Sequence, residues 1–370
     1  MAGRDEAVQA EIDRRFMAAA IRLSRRHLGL TATNPSVATL IVRDGLIIGR
    51  GVTAIGGRPH AETQALAEAG EGARGATAYV TLEPCAHHGR TPPCADALVT
   101  AGITRVVGAA SDPDPRVCGK GYAILREAGI EVVEDILAAE AADLMAGYLI
   151  RSSKKRPEVT LKLAVSADGM IGRASQVQVA ITGPVARRQV HVMRAEADAI
   201  LIGIGTAIAD DPDLTCRLPG MEDRSPVRIV LDRRLRLPLS SKLAQTARQT
   251  PVLLAAEGGF DEARRNALAA SGVGFLATET FGDRIALPEL LEDLASQGMG
   301  TVMVEGGAET AKHFLEENLV DRIALFTGTI SIGADGIRSP LDADTIPSGF
   351  SLVREARFAD DRYLEYVRQS

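Results

Sequence analysis

His60-Ala61-Glu62, Pro84-Cys85 and Pro92-Pro93-Cys94 are the residues of this chain best suited to chemistry. One imidazole and two thiols make three ligands for zinc. A catalytic zinc keeps three protein ligands and leaves its fourth position to water, whereas a structural one closes its shell with a fourth Cys or His. Water held there falls to a pKa of about 7, so hydroxide becomes available at neutral pH. Glu62 is not needed as a ligand. Beside a ligand histidine it can shuttle protons between that water, a ring nitrogen and a leaving amine. His87 and His88 could each complete a structural shell instead, so the residues alone leave both uses of the metal open.

Local elements must hold these groups. His60 opens a predicted helix, Glu62–Ala69, that Gly70 ends. Cys94 opens another, Cys94–Ala101, closed by Gly102. Cys85 lies on the turn leaving a predicted strand, Ala76–Leu82. Helix N-termini carry positive potential, which favours thiolate over thiol. Prolines at 59, 84 and 93 restrict the backbone next to each ligand without removing a needed donor. Zinc nucleobase deaminases pair a His-x-Glu with Pro-Cys-x-x-Cys. Here eight residues, 86 to 93, separate the two cysteines instead of two.

The surrounding pattern is α/β. Met17 to Arg26 has helical apolar spacing. Ser36–Arg43 and Leu46–Gly51 read as strands joined by Asp44-Gly45, a hairpin signal. Arg105–Ala110, Tyr122–Ala128 and Glu131–Val133 continue the alternation as strand, helix and strand. Ile136–Leu149 reads as one amphipathic helix, and the polar, basic stretch Arg151 to Pro157 as a linker. The alternation then restarts. Strands are expected at Val159–Val165, Ala199–Ile204, Val227–Leu231, Val252–Ala255, Gly274–Ala277, Thr301–Val304 and Asp321–Thr327. Helices are expected at Pro184–Ala195, Leu287–Gln297 and Ala308–Glu317. Strands alternating with helices predict sheets with at least one parallel core. The domain reading is therefore 1–150 and 157–370.

Composition narrows the function classes. A length of 370 residues suits two or three domains at roughly 150 residues each. The net charge of −6 and pI near 5.7 argue against a nucleic-acid partner, which leaves a basic footprint. With no Trp and 4% aromatics, a base-stacking platform is not expected. No run of 18 apolar residues suggests a membrane span, and the charged N-terminus lacks a signal-peptide core. Four cysteines, two of them in a metal pattern, suggest a reducing cytoplasm. Cys118 and Cys216 are read as small buried hydrophobes. A homo-oligomer, dimer or tetramer, is expected.

The insert Pro84-Cys85-Ala86-His87-His88-Gly89-Arg90-Thr91-Pro92-Pro93-Cys94 resembles the deaminase half of the bifunctional riboflavin-biosynthesis deaminase/reductases. Asn34-Pro35, Gly57-Arg58-Pro59 and Asp112-Pro113-Asp114-Pro115 agree, and the resemblance runs from about Met17 to the end of the chain. It implies an N-terminal cytidine-deaminase-like α/β/α domain and a C-terminal dihydrofolate-reductase-like α/β domain. The substrate it implies is a phosphorylated pyrimidine, a diaminopyrimidinone carrying a phosphoribosylamino group. Its C2 amine is hydrolysed off with zinc, and its ribose is then reduced to ribitol with NADPH. By match, Asn34, His87, Arg90, Asp112 and Asp114 face this substrate, and His88 falls where the family varies. The family usually has Asn at the position of Asp114, and an aromatic and His around Val52-Thr53.

The reductase half carries no Gly-x-Gly-x-x-Gly fingerprint. Gly203-Ile204-Gly205-Thr206-Ala207-Ile208 lacks the third small residue. The family match there rests on Leu161 to Gly169, Gly205 to Pro212 and Val304 to Ala308. It implies that Ala164, Ala180, Thr206, Asp210, Gly306 and Gly307 face the dinucleotide. Gln178, Arg194, Leu214, Arg217 and Glu305 face the phosphorylated sugar, and Lys162 and Glu305 are the catalytic candidates. Gly306-Gly307, between a strand and a helix, lets backbone amides approach a phosphate. Arg233, with Arg234, follows a strand where a nucleotide can lie and suits the 2′-phosphate of NADPH. Some relatives have an aromatic at Ala180, and Gly328 to Gly333 replaces a Pro-Lys-apolar-apolar-Gly stretch. Two rival readings are a nucleic-acid or nucleoside deaminase with an unrelated nucleotide-binding appendage, and a nonenzymatic protein with structural zinc.

Overall fold

A computed structural model describes residues 2–87, 92–174, 179–258 and 261–369. The chain divides into two compact units, Met1–Lys155 and Arg156–Ser370. The first holds β1 (Ala38–Arg43), β2 (Leu46–Val52), β3 (Thr77–Leu82), β4 (Arg105–Ala110) and β5 (Glu131–Val133), with α1 (Ala2–Ser24), α2 (Ala61–Ala69), α3 (Cys94–Thr100), α4 (Lys120–Glu127), α5 (Ala138–Leu144) and α6 (Ala146–Lys154). Its sheet order is β2-β1-β3-β4-β5, antiparallel on both sides of β1 and parallel from β3 to β5. The β1–β2 turn puts Asp44 and Gly45 at φ +52° and +76°, the two consecutive left-handed residues of a type I′ hairpin. One apolar core, including Met17, Ile41, Tyr79, Leu98, Val107 and Leu125, fills this unit.

Glycine lets the metal-site helix lie against the sheet. A Cβ added at Gly51 would sit 2.0 Å from the Ala61 carbonyl oxygen, and one at Gly49 would sit 2.2 Å from that of Ala65. No larger residue could occupy either place without moving α2 off β2.

Three readings of this unit need correction. Cys118 is exposed rather than a buried hydrophobe. Ile136–Leu149 is not one helix: Leu137 takes φ +57°, α5 begins after it, and Met145 breaks the ladder at φ −105° before α6 starts. The basic stretch Arg151 to Pro157, read as the linker, does contain the boundary between the two units at Lys155–Arg156, but its first four residues, Arg151 to Lys154, are helical. They form the last turn of α6, where cations suit the negative helix end.

The second unit holds β6 (Glu158–Val165), β7 (Met170–Arg173), β8 (Ala199–Gly203), β9 (Val227–Leu231), β10 (Val252–Ala256), β11 (Gly274–Ala277), β12 (Thr280–Phe281), β13 (Arg284–Ile285), β14 (Thr301–Glu305), β15 (Arg322–Thr327), β16 (Gly336–Arg338), β17 (Phe350–Phe358) and β18 (Asp361–Arg368). Its helices are α7 (Pro184–Glu196), α8 (Ile204–Asp210), α9 (Lys242–Gln245), α10 (Glu262–Ser271), α11 (Leu287–Ser296) and α12 (Ala308–Glu316). Nine strands form one sheet in the order β11-β10-β9-β8-β14-β6-β15-β18-β17. The run from β11 to β15 is parallel, and β18 and β17 close it antiparallel.

Alternate residues of β6 explain the layering. Val159, Leu161, Leu163 and Val165 join the core beneath α11 and α12. Thr160, Lys162 and Ala164 are half-buried on the other face. There, Ile200, Val230 and Leu254 pack with α8, α9 and α10, and Ala324 and Phe326 pack with α7. The closing strands β17 and β18 escaped the sequence reading. Four consecutive residues of β17, Leu352 to Glu355, are exposed, which hides the apolar alternation of a strand. No helix among the described residues is long and apolar enough to cross a membrane.

Candidate active sites

In the first unit three elements converge. His60 is the N-cap of α2, Cys94 is the first residue of α3 after Pro93, and Cys85 sits on the turn leaving β3. His60 Nδ1 lies 3.4 Å from Cys94 Sγ and 3.8 Å from Cys85 Sγ. All three ligand atoms fall within 4.8 Å of one another, the only such group among the described residues. Tetrahedral zinc with bonds of about 2.1 Å to nitrogen and 2.3 Å to sulfur would hold such atoms roughly 3.6 Å apart. The donor set therefore fits zinc. The Cys94 backbone N–H donates to Cys85 Sγ at 3.2 Å. Hydrogen bonds from Cys94, and then His60, hold Cys85 far down at about 4. Cys94 hydrogen-bonds to it and is pushed up.

Glu62, in the first turn of α2, is 4% exposed. Burial, reinforced by the nearby Cys85, raises its carboxyl above the ordinary value. A raised carboxyl beside a metal site suits proton transfer near neutral pH.

The expected substrate residues line up around this group in different ways. Asn34 packs its amide against Gly57, on the loop leading to His60. Asp112 is buried and accepts from the Asp114 N–H and the Tyr148 hydroxyl, and burial raises its carboxyl. Asp114 is paired with Arg116, which lowers it to about 2. His87 keeps a buried Nδ1 with no partner among the described residues. Arg90 lies outside the described residues, as does His88. Sequence reasoning missed Glu83 and Tyr148. Glu83 accepts from the Gly119 and Gly121 N–H groups, each at 3.0 Å, and so ties the 112–121 loop to the end of β3. A carboxylate one residue before Pro84-Cys85 was the available signal.

In the second unit the site starts from strand pairing. Lys162 on β6 and Glu305 at the end of β14 are direct partners on parallel strands, with Nζ to Oε2 at 3.7 Å. Arg194 on α7 grips the same carboxylate in a two-point fork, at 2.9 and 3.0 Å. Burial alone would raise Glu305, but Arg194 and Lys162 outweigh it and hold the carboxyl at about 2. Burial lowers Lys162, and Glu305 partly restores it. Leu214 is buried in the left-handed region at φ +56°. Arg217 is half-exposed and paired with Asp213 at 3.0 Å.

Thr206 and the Gly306-Gly307 turn also meet. The Gly307 N–H donates to Thr206 Oγ1 at 2.9 Å, at the heads of α12 and α8 and the carboxyl ends of the adjacent strands β14 and β8. Backbone amides at such a helix start fit a dinucleotide phosphate. Ala164 follows Lys162 on the same face of β6, Asp210 ends α8, and Ala180 is exposed. Gln178 lies outside the described residues. Arg233 follows β9, largely covered, and donates to Asp283 Oδ1 at 2.8 Å and to the Gly282 carbonyl at 3.3 Å. Arg234 is mostly exposed. His191, one helical turn before Arg194, was also missed. Burial, with Arg194 and Arg217 beside it, lowers its pKa.

Residues 157–360 match the family model described as the RibD C-terminal domain. Residues 10–110 match the cytidine and deoxycytidylate deaminase zinc-binding region. The riboflavin biosynthesis protein RibD of Aquifex aeolicus is 41% identical over 89% of this chain and 92% of its own length. That of Escherichia coli is 39% identical over 87% and 89%. Among solved structures, Acinetobacter baumannii RibD aligns with a TM-score of 0.84 at 38% identity, covering 98% of this chain and 100% of that one. A diaminohydroxyphosphoribosylaminopyrimidine deaminase/5-amino-6-(5-phosphoribosylamino)uracil reductase from Thermotoga maritima aligns at 0.85 and 32%, with the same coverage. The fold, the His-Cys-Cys group and these likenesses agree that the chain belongs to the RibD family, bifunctional enzymes of riboflavin biosynthesis that join a zinc-dependent deaminase to an NADPH-dependent reductase.

Proposed function

We propose that His60, Cys85 and Cys94 hold the zinc and that Glu62 is the proton carrier of the deaminase. We propose further that the substrate is 2,5-diamino-6-(phosphoribosylamino)pyrimidin-4-one, whose C2 amine is replaced by oxygen from water. Zinc, when bound, supplies a Lewis acid that makes water nucleophilic near neutral pH. Glu62 takes one proton from water and passes it to the ring nitrogen, then takes the second from the hydroxyl now on C2 and passes it to the amine, which leaves as ammonia when the C–N bond breaks. Its burial keeps the carboxyl in range for both directions of transfer. His87, whose buried Nδ1 has no partner among the described residues, and Asp112, fixed by Tyr148, orient the pyrimidine together with Asn34 and Asp114. Arg90 belongs to the phosphoribosyl end of this reading.

In the reductase, Lys162 gives a proton to the ribose ring oxygen as the ring opens. Glu305 and Arg194 fix the Lys162 ammonium and the sugar. NADPH, when bound, supplies the hydride to the anomeric carbon. Gln178, Leu214 and Arg217 complete the sugar-phosphate end. Ala164, Ala180, Thr206, Asp210, Gly306 and Gly307 take the dinucleotide, and Arg233 its 2′-phosphate. The observation that carries this reading is the pairing of a fitted three-ligand group and buried Glu62 with a second, separate Lys162–Glu305–Arg194 group in one chain. The chain is read as a cytoplasmic homo-oligomer, dimer or tetramer. Its four free cysteines suit a reducing compartment, and light scattering gives the subunit number.

Incubating the full chain with this substrate tests the reading. Without NADPH it should release ammonia and accumulate the phosphoribosylaminouracil; with NADPH it should yield the ribityl product. Product formation without ammonia release, or no reduction with either dinucleotide, would refute it.

A further inference from the structure

The segment from Asp213 to Arg217 is held from several sides. Arg228, fully buried on β9, donates to the Asp213 carbonyl at 3.2 Å, and the Cys216 N–H donates to Ser225 Oγ at 3.1 Å. Arg194 donates to the Thr215 carbonyl at 3.2 Å. Leu214 keeps a left-handed backbone within it, a conformation that persists only where the surroundings over-determine it. One side chain engages both flanks of Cys216. His191 Nδ1 lies 3.1 Å from the Thr215 carbonyl oxygen and 3.3 Å from the Arg217 backbone nitrogen.

We propose that His191 is a positioning residue of the reductase: its Nδ1 sets the backbone of Thr215–Arg217 and thereby aims the Arg217 guanidinium at the phosphate of the ribosyl substrate. This rests on the reading of Arg217 as a substrate residue. The imidazole offers Nδ1 as donor to the carbonyl in one tautomer and as acceptor from the Arg217 N–H in the other. Either tautomer pins the same three residues. The ring has no step in the hydride transfer, so its loss should act on substrate binding and spare turnover.

The test is steady-state kinetics of the full chain on the deaminated phosphoribosylaminouracil at saturating NADPH. His191→Ala should raise the KM for that substrate about tenfold, the loss expected for one directed hydrogen bond with its alignment. The kcat and the KM for NADPH should stay within about twofold. His191→Asn places an amide where Nδ1 was and should restore KM, whereas His191→Gln, whose amide reaches the Nε2 position, should not. On the dephosphorylated substrate His191→Ala should have no effect. In an Arg217→Ala background it should add little, because coupled residues are not additive. Equal losses with and without the phosphate, a fall in kcat alone, or rescue by Gln and not Asn would each overturn the proposal. Should the Ala variant fold poorly, the Asn and Gln variants decide it between them. If Arg217→Ala leaves KM unchanged, the assignment of Arg217 fails. If Arg217→Ala raises KM and His191→Ala does not, only the role of His191 fails.

Discussion

Glu305 stands directly across from Lys162 on adjacent parallel strands, and its carboxylate is shared between the Lys162 ammonium and the Arg194 guanidinium. Two cations on one buried anion leave a net positive site, the sign needed for a phosphorylated sugar. The same geometry sets how each group titrates.

Glu305→Gln should lower reductase turnover by about a hundredfold or more, through loss of the group that fixes Lys162. Deamination should be unchanged. The basic limb of the reductase pH profile reports Lys162. Burial places that limb below the ordinary lysine value, and Glu305 opposes the shift. Removing the Glu305 charge should therefore move the basic limb to lower pH, which rate measurements from about pH 6 up to roughly the ordinary lysine value of about 10.4 would detect. A limb that stays in place would mean Lys162 is not the titrating group.

Glu62→Gln should cut ammonia release by roughly a hundredfold or more while zinc stays bound, because the amide keeps its size but cannot carry a proton. Cys94→Ser should lose both metal and deamination, since it removes one of three ligands. Metal content and reductase activity separate the two cases: both should be retained by the Gln variant, and only the reductase by the Ser variant.

Gly51→Ala tests how α2 is placed. The added methyl would meet the Ala61 carbonyl at 2.0 Å, a backbone atom that cannot swing away. Such overpacking costs about 1–3 kcal/mol. Because His60 and Glu62 ride on the first turn of α2, zinc affinity and deamination should fall with it, with reduction preserved.

Asp13 ties α1 to the sheet. It accepts two hydrogen bonds from Arg105 at 2.8 Å each, one from Tyr79 at 2.8 Å and one from Gln9 at 3.0 Å. Burial alone would raise its carboxyl, but these bonds outweigh it and lower the pKa. A lowered carboxyl contributes stability that is present above the unfolded value of about 3.9 and is lost as pH falls through the folded value. Asp13→Asn should cost about 3–5 kcal/mol at pH 7, as for breaking a buried pair. Urea unfolding should show the gap between wild type and variant narrowing as the pH drops below about 4.

Arg233→Ala should reduce the preference for NADPH over NADH about tenfold, by removing a charge-assisted contact to the 2′-phosphate. Asp283, itself exposed, competes for that guanidinium. Asp283→Asn should accordingly raise the preference. If both cofactors weaken together in Arg233→Ala, the arginine only ties β9 to the 282–283 turn.

Most of the local elements, and the three residues that the fold groups as candidate metal ligands, were legible in the sequence, because each carries a short-range signal. Asp44-Gly45 specifies its hairpin through left-handed backbone, Gly70 ends α2, and Pro84-Cys85 and Pro93-Cys94 place thiols at a turn and a helix start. The break at Met145 and the strands β17 and β18 were not legible, since they depend on what the segments pack against rather than on their own periodicity. The chemistry of Glu305 was legible as a residue type, but its charge state was not. Only the sheet order places β14 beside β6 and α7 above them, bringing together residues 162, 194 and 305. The same holds for His191 and Arg217, and for Gly51 beneath Ala61. Sequence determines which groups are present and the local backbone that carries them. Tertiary structure decides which of them share a buried, low-dielectric space, and charges interact strongly only there.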